Sequence, residues 1–129
     1  MSKMNELMAR GTDLLGSDYA ILCGAMSWVS ERHLVSAISN AGGFGVIACG
    51  AMTPDLLDTE IAATKALTTR NFGVNLITMH PQLFELIDVC AQHGVGHVVL
   101  AGGLPPMDSL GAIKASGSTA LFAAPALAL

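Results

Sequence analysis

Short apolar runs recur about every 25 residues along the chain, and segments with a helical period lie between them. The runs begin near Ala20, Gly45, Gly73, Val98 and Thr119. They lack the polar alternation of half-exposed strands, which indicates a parallel sheet whose faces are covered by crossover helices. Because parallel sheets bind ligands at the carboxyl ends of their strands, we expect the functional residues directly after each run.

The pattern predicts an α/β fold with five parallel strands and four complete crossovers. The strands are expected at residues 19–23, 44–48, 72–76, 97–101 and 119–123. The helices are expected to start within residues 1–18 and at Ser30, Thr53-Pro54, Pro81 and Pro105. Residues between the elements are short turns, so no linker divides the chain.

The 129 residues fit one domain, which we place at residues 1–129, or part of one. Hydrophobic residues make up 52% and charged residues only 12%, against about 25% charged in typical soluble domains. This apolar excess predicts that the chain alone does not bury all of its apolar surface, so we expect self-association through exposed sheet edges. The sequence stops on Leu127-Ala128-Leu129 without a charge or a cap, and we expect that end to be cut off.

Charge and cysteine content argue against several classes of function. Net charge is −4 and no basic run occurs, so we expect no nucleic-acid partner. No signal peptide begins at Met1, and no stretch reaches the roughly 18 apolar residues that span a bilayer, so we expect no membrane partner. Cys23, Cys49 and Cys90 are odd in number and lack C-x-x-C spacing, which predicts reduced thiols and a cytoplasmic location.

Two places after predicted strands carry unusual residues. Gly24-Ala25-Met26-Ser27-Trp28 follows the first run. Small residues there let a ligand approach the backbone, while Met26 and Trp28 either offer polarizable and aromatic surface to a flat ligand or simply fill the mouth of a barrel. Asn75 is the polar residue of an otherwise apolar run, and its buried amide needs a hydrogen-bond partner. That partner is either a ligand or the neighbouring backbone.

The common catalytic and phosphate-binding motifs are missing from the sequence. Residues 43–48 match G-x-G-x-x-A, but these glycines precede the strand, so they indicate a turn and not a dinucleotide site. No G-x-x-x-x-G-K-[ST] loop and no G-x-S-x-G elbow occurs. His93 and His97 are separated by glycines that break a helix, and we predict no metal site.

Three segments together resemble the nitronate monooxygenase family, also called 2-nitropropane dioxygenases, whose close relatives include the flavin-dependent enoyl-ACP reductases. They are GAMSWVS at residues 24–30, SNAGGFG at residues 39–45 and FGVNL at residues 72–76. The segments occur in the family's order and spacing, and the resemblance spans nearly the whole chain. It implies an FMN-containing TIM (β/α)8 barrel, of which this chain would supply the amino-terminal part with about five βα units.

The resemblance also implies which residues hold the cofactor. In such proteins the loop that matches Gly24, Ala25 and Met26 packs its backbone against the flavin, and the asparagine that matches Asn75 contacts FMN. The family more often has Gly-Gly-Met where this chain has Gly24-Ala25-Met26. The family's phosphate site and catalytic histidine lie in later strands, so we assign no catalytic residue here.

The activity that the resemblance implies is the oxidation of an alkyl nitronate with O2, which yields a carbonyl compound and nitrite. Reduction of an enoyl thioester is the alternative reaction within the same family. Since the phosphate site and the catalytic base have no counterpart in this chain, we expect it to be inactive alone.

A different class of protein also fits the length, namely a five-stranded doubly wound module of the flavodoxin or receiver type that binds without catalysis. A receiver needs acidic residues after its first strand and an aspartate after its third, where this chain has Cys23-Gly24-Ala25 and Asn75. A flavodoxin needs a hydroxyl-rich phosphate loop after the first strand, and Ser27 is a poor substitute. The barrel is therefore the favoured prediction.

Overall fold

Helices and strands alternate along residues 2–122, the part of the chain that the structure, a computed structural model, describes. The helices are α1 (Lys3–Leu15), α2 (Arg32–Asn40), α3 (Pro54–Leu67), α4 (Leu83–Gln92) and α5 (Met107–Ala115). The strands are β1 (Gly45–Ala48), β2 (Phe72–Ile77), β3 (His97–Ala101) and β4 (Thr119–Phe122). Four of the predicted strands are confirmed at nearly the predicted bounds. The predicted strand end at residue 123 and the apolar residues 127–129 lie outside the described residues.

The four strands form one parallel sheet in the order β1-β2-β3-β4. Each strand lies beside the next one along the chain, with a helix crossing between them. In a doubly wound module the strand order reverses at a switch point and crossover helices cover both faces. Within residues 2–122 no reversal occurs, and the crossover helices pack on a single face. The sheet therefore fits the predicted barrel segment and not the doubly wound alternative.

The prediction of a regular strand at residues 19–23 is wrong. This segment makes a single parallel bridge, between Leu22 and Phe44, next to β1. Phe44 N donates to Ile21 O and Cys23 N donates to Phe44 O, both at 2.9 Å. Ile21 and Leu22 are 62% and 41% exposed. Because the segment pairs on one side only within the described residues, it has too few ladder hydrogen bonds for a full strand, although its direction and its neighbour are the predicted ones.

Side chains alternate between the two faces of the sheet. The face towards the helices carries the main core, which includes Ile47, Val74, Leu76, Val98 and Leu100. The opposite face, called the inner face below, carries a smaller core of Leu15, Phe44 and Val46, with Ala25, Val99 and Leu121 packed against it. The two cores place the helices on the outside of the curved sheet, as in a (β/α)8 barrel.

The inner face is open beyond its small core. A cavity of about 410 Å³ lies there, and Leu14, Leu22 and Phe122 are among the residues that line it. These three side chains are 51%, 41% and 49% exposed. The opening therefore accounts for part of the apolar excess in the composition.

The predicted caps of α3 and α2 have different outcomes. Thr53 Oγ1 accepts a hydrogen bond from a backbone N–H of the first turn of α3, and Pro54 begins the helix, so this predicted start is confirmed. The prediction of Ser30 as the N-cap of α2 is wrong, because the Glu31 carboxylate accepts from two N–H groups of that helix. None of the helices within residues 2–122 is long and apolar enough to cross a membrane.

A buried ion pair joins α2 to α3. The Glu60 carboxylate is 5% exposed and accepts hydrogen bonds from Arg32 N at 2.6 Å, from Arg32 Nε at 3.2 Å and from Arg32 Nη2 at 2.6 Å. Burial acts to raise the pKa of Glu60, but the hydrogen bonds and the charge of Arg32 outweigh it and lower that pKa below its ordinary value of 4.5. The pair thereby fixes the start of α2, directly after residues 24–30.

Candidate functional site

Three segments meet at the carboxyl edge of the sheet, where ligands of parallel sheets bind. They are the loop after residues 19–23, the loop after β1 and the end of β2. A Cβ placed on Gly50 would lie 3.3 Å from Ser27 Oγ and 3.7 Å from Ile77 Cγ1. All three segments therefore lie close together around Gly50, as expected for neighbouring strands of a (β/α)8 barrel.

The loop of residues 24–30, called the 24–30 loop below, presents small and apolar groups outward. Gly24 has open space where a Cβ would be, with no atom within 4 Å. Met26 is 47% exposed and Trp28 is 71% exposed. Trp28 adopts a φ of 61°, a left-handed conformation that costs a non-glycine residue energy and recurs at functional sites. Met26 and Trp28 are therefore exposed within residues 2–122, and whether they face a ligand or fill the mouth of a barrel stays a prediction.

Ser30 makes hydrogen bonds to two other residues of the 24–30 loop. Its side chain is buried, and its Oγ accepts from Met26 N at 3.0 Å and donates to Gly24 O at 3.3 Å. Its backbone carbonyl accepts from the N–H of Ala48, the last residue of β1, at 3.0 Å. The sequence does not predict this role, because a serine directly before a helix fits an N-cap equally well.

Asn75 lies near the carboxyl end of β2 and is 8% exposed. Its Nδ2 donates to Val99 O of β3 at 3.1 Å, so the neighbouring backbone satisfies that half of the amide. No hydrogen bond from the described residues reaches its Oδ1. The alternation along β2 directs Asn75 to the inner face, the face against which Ala25 and Val99 also pack. That Gly24, Ala25, Met26 and Asn75 bind a cofactor stays a prediction.

Two histidines close to the strands are engaged in backbone hydrogen bonds. His80 Nδ1 accepts from Gln82 N at 3.0 Å, directly before α4. His97 is buried at the amino-terminal end of β3, where its Nε2 donates to Leu14 O at 2.6 Å. Its ring packs edge-on against Phe44, with 5.0 Å between the ring centroids. His97 thus lies at the opposite edge of the sheet from the 24–30 loop, and neither histidine is assigned as a catalytic base.

The cysteine thiols buried in the main core are not reactive. All three are free, and burial raises the pKa of Cys49 and the pKa of Cys90 to about 12 each. Such thiols are protonated and inert at neutral pH. Within residues 2–122 no three His, Cys, Asp or Glu side chains lie together in a way that could hold a metal ion. The carboxyl edge offers backbone, amide and apolar groups, which suit the binding of a flat organic ligand.

A parallel sheet of consecutive βα units, with an open inner face and its exposed glycine-containing loop at the carboxyl edge, defines the amino-terminal part of a (β/α)8 barrel. The family model described as nitronate monooxygenase matches residues 9–118. The chain belongs to this family, and the predicted family is confirmed.

Relatives and solved structures agree with this assignment. The chain is 31% identical over 110 residues to the (3aS,4S,5R,7aS)-5-hydroxy-7a-methyl-1-oxo-octahydro-1H-indene-4-carboxyl-CoA dehydrogenase of Mycobacterium tuberculosis, a match that covers 85% of this chain and 31% of that protein. It is 35% identical over 79 residues to a probable nitronate monooxygenase of Staphylococcus saprophyticus, covering 61% of this chain and 22% of the relative.

Among solved structures, FabK from Thermotoga maritima superposes with a TM-score of 0.83 at 36% identity, over 88% of this chain and 36% of that chain. The nitroalkane oxidase of Streptomyces ansochromogenes has a TM-score of 0.74 at 24% identity, over 86% of this chain and 41% of that chain, which shows the shared fold. The chain spans about a third of the length of the dehydrogenase and of FabK.

Proposed function

We propose that residues 1–129 form a single domain that holds the isoalloxazine ring of FMN at the carboxyl edge of the sheet. The observation that carries the proposal is the placement of the 24–30 loop and Asn75 on the same inner face, with Ala25 and Val99 packed against one core. In the family that the chain belongs to, the matching loop and asparagine contact FMN.

The groups present fit a flavin ring. Gly24 leaves its outer side open to the close approach of a planar ring, and Met26 supplies polarizable surface beside it. Asn75 Oδ1 keeps an acceptor for the N–H groups of such a ring, since its Nδ2 is already bound to Val99 O. The Ala25 methyl is partly buried against the inner-face core.

The reaction proposed for the whole protein is the oxidation of an alkyl nitronate with O2 to a carbonyl compound and nitrite. FMN, when bound, supplies the two-electron redox chemistry. The residues of this chain bind and orient the ring, and no described residue is assigned to proton transfer. The support is the family model and the similarity to the staphylococcal relative.

The second candidate reaction is the reduction of an enoyl thioester by a reduced nicotinamide cofactor, and a CoA thioester named in a relative supports this substrate class. The relative from Mycobacterium tuberculosis is by its name a carboxyl-CoA dehydrogenase, and it matches a larger share of this chain than the staphylococcal relative does. The two reactions are separated by assaying nitrite release from an alkyl nitronate and nicotinamide oxidation with an enoyl thioester. The assay uses a protein of the relatives' full length that contains these 129 residues, and activity on neither substrate contradicts both candidates.

The binding proposal is tested by titrating the chain with FMN and following the flavin fluorescence. Replacement Asn75→Leu removes a buried hydrogen-bonding group next to the ring, so FMN affinity is expected to fall by ~1–3 kcal/mol. Asn71→Leu is the matched control, because Asn71 precedes β2 at the opposite edge, where its Nδ2 donates to Leu15 O at 3.3 Å. If the Asn75→Leu variant and the unchanged protein bind FMN with equal affinity, Asn75 does not contact the ring.

We place the protein in the cytoplasm and expect copies of the chain to associate. The three free cysteines support a cytoplasmic location, since structural disulfides are typical of exported proteins.

The open inner face and the one-sided pairing of residues 19–23 support association between copies of the chain, because unpaired edges and apolar faces promote such contacts. Size-exclusion chromatography at several concentrations tests it, and a monomer at all of them contradicts it.

A further inference from the structure

Ser30 makes four hydrogen bonds that together define the backbone path of the 24–30 loop. Its hydroxyl spans the loop, from Gly24 O at 3.3 Å to Met26 N at 3.0 Å. Its own N–H donates to Met26 O at 2.8 Å, and its carbonyl accepts from Ala48 N. The side chain is 2% exposed, so water does not compete for these groups.

These bonds decide which backbone groups of the loop stay available to a ligand. Gly24 O and Met26 N are bound to the Ser30 hydroxyl, and Met26 O is bound to the N–H groups of Val29 and Ser30. Within the described residues neither the N–H nor the carbonyl of Ala25 makes a hydrogen bond. The Ala25 peptide groups therefore have no hydrogen-bond partner among the described residues, while the Ala25 methyl packs against the inner-face core.

The loop also needs a restraint because it contains a strained residue. Trp28 holds a φ of 61° although it is not glycine, and its side chain is 71% exposed. A residue in this conformation persists only where surrounding contacts determine it. The exposed indole supplies few contacts, so the restraint comes from the hydrogen bonds of Ser30 on one side and its link to β1 on the other.

We propose that Ser30 is a positioning residue, which holds the Ala25 peptide in the orientation that meets the ligand at the carboxyl edge. It acts through the loop and touches no reacting atom. The ligand part of this inference rests on the proposed function, whereas the part that concerns the loop is independent of it.

The test compares Ser30→Ala with the conservative Ser30→Thr and with Ser36→Ala. Ser36 is a matched control, because it is also buried and its Oγ donates to a backbone carbonyl within α2. Without FMN, amide hydrogen exchange of Met26 is measured by NMR. Ser30→Ala is expected to raise its exchange rate about tenfold or more, since the N–H loses its acceptor, while Ser30→Thr and Ser36→Ala leave it near that of the unchanged protein.

With FMN, the same variants are titrated and the visible absorption of the bound flavin is recorded. Ser30→Ala is expected to weaken binding about fivefold and to shift the flavin absorption band, and Ser30→Thr is expected to restore both. An unchanged Met26 exchange rate in Ser30→Ala overturns the role of Ser30 in the loop. Faster exchange with unchanged FMN affinity and spectrum overturns its role in ligand positioning. Absence of FMN binding by the unchanged protein contradicts the proposed function, and the exchange rates still decide the role in the loop.

Discussion

The ion pair between Arg32 and Glu60 offers a sharp test of how the fold places the 24–30 loop. The replacement Glu60→Gln keeps the size of the side chain and one oxygen that accepts from Arg32 N, but it removes the negative charge. Hydrogen bonds to charged groups contribute about 1.5–3 kcal/mol each, and removing one partner of a fully buried pair costs about 3–5 kcal/mol. The Arg32 side chain is 34% exposed and regains water. We therefore expect a loss of about 2 kcal/mol in the free energy of unfolding at pH 7.

The pH dependence of this loss follows from the pKa of Glu60. That pKa is lowered in the folded state relative to its ordinary value of 4.5, through the hydrogen bonds and charge of Arg32. A lowered pKa contributes stability above the unfolded-state value, and this contribution is lost as the pH falls through the folded-state value. The difference between the unchanged protein and Glu60→Gln should therefore be full at pH 7 and shrink below about pH 4.5.

Urea unfolding followed by circular dichroism at several pH values measures this difference. Glu85→Gln is the control, because Glu85 is exposed and, among residues 2–122, accepts a side-chain hydrogen bond from Gln82 Nε2 alone, and its effect should stay within about 0.5 kcal/mol. A Glu60→Gln loss that is equally large at pH 3 and pH 7 would refute the electrostatic reasoning. A loss no greater than that of Glu85→Gln would show that the pair does not hold α2 in place.

Two further predictions concern close packing and thiol reactivity. Gly45→Ala places a Cβ 2.5 Å from Val35 O and 2.9 Å from Val35 Cα, so urea unfolding should show a loss of about 2 kcal/mol or more. Cys49 and Cys90, whose pKa values burial raises to about 12, should resist iodoacetamide at pH 8 in the folded protein, while the partly exposed Cys23 is alkylated. Mass spectrometry locates the label.

The packing prediction and the thiol-reactivity prediction each have a control. Gly96→Ala meets no atom within 4 Å and should cost less than about 0.5 kcal/mol, so a loss equal to that of Gly45→Ala would contradict the packing argument. In urea all three cysteines should be alkylated. Rapid labelling of Cys49 or Cys90 without urea would show that the main core opens in the folded state.

The fold was predictable where the signal is local. Residues 44–48 and 72–76 are predicted as buried strands because every position except Asn75 is apolar or small, and the structure buries them as predicted. Thr53 followed by Pro54 marks a helix start from two adjacent residues. The segment 19–23 has the same apolar composition as a strand, but its pairing depends on what lies on its other side, which a single run of residues does not specify.

The candidate site was predictable only in part, because its hydrogen bonds join residues that are distant in sequence or ambiguous in role. Asn75 was identified by its polarity within an apolar strand, but the partner of its Nδ2, Val99 O, lies on another strand. Glu60 is buried against Arg32, 28 positions away, and no local pattern in the sequence indicates this contact. Ser30 was identified as a helix cap, and Glu31 next to it takes that role instead.

The consecutive order of the strands allows the sheet to fold step by step during synthesis. Since β2 pairs with β1, β3 with β2 and β4 with β3, each βα unit finds its neighbour in the segment that left the ribosome just before it. The sequence separations between paired strands are shorter than they would be in a sheet whose strand order reverses, which lowers the entropy cost of closing each pairing. The 24–30 loop and its contact with β1 come from the earliest part of the sheet, so the loop can take its shape before β4 has been synthesised.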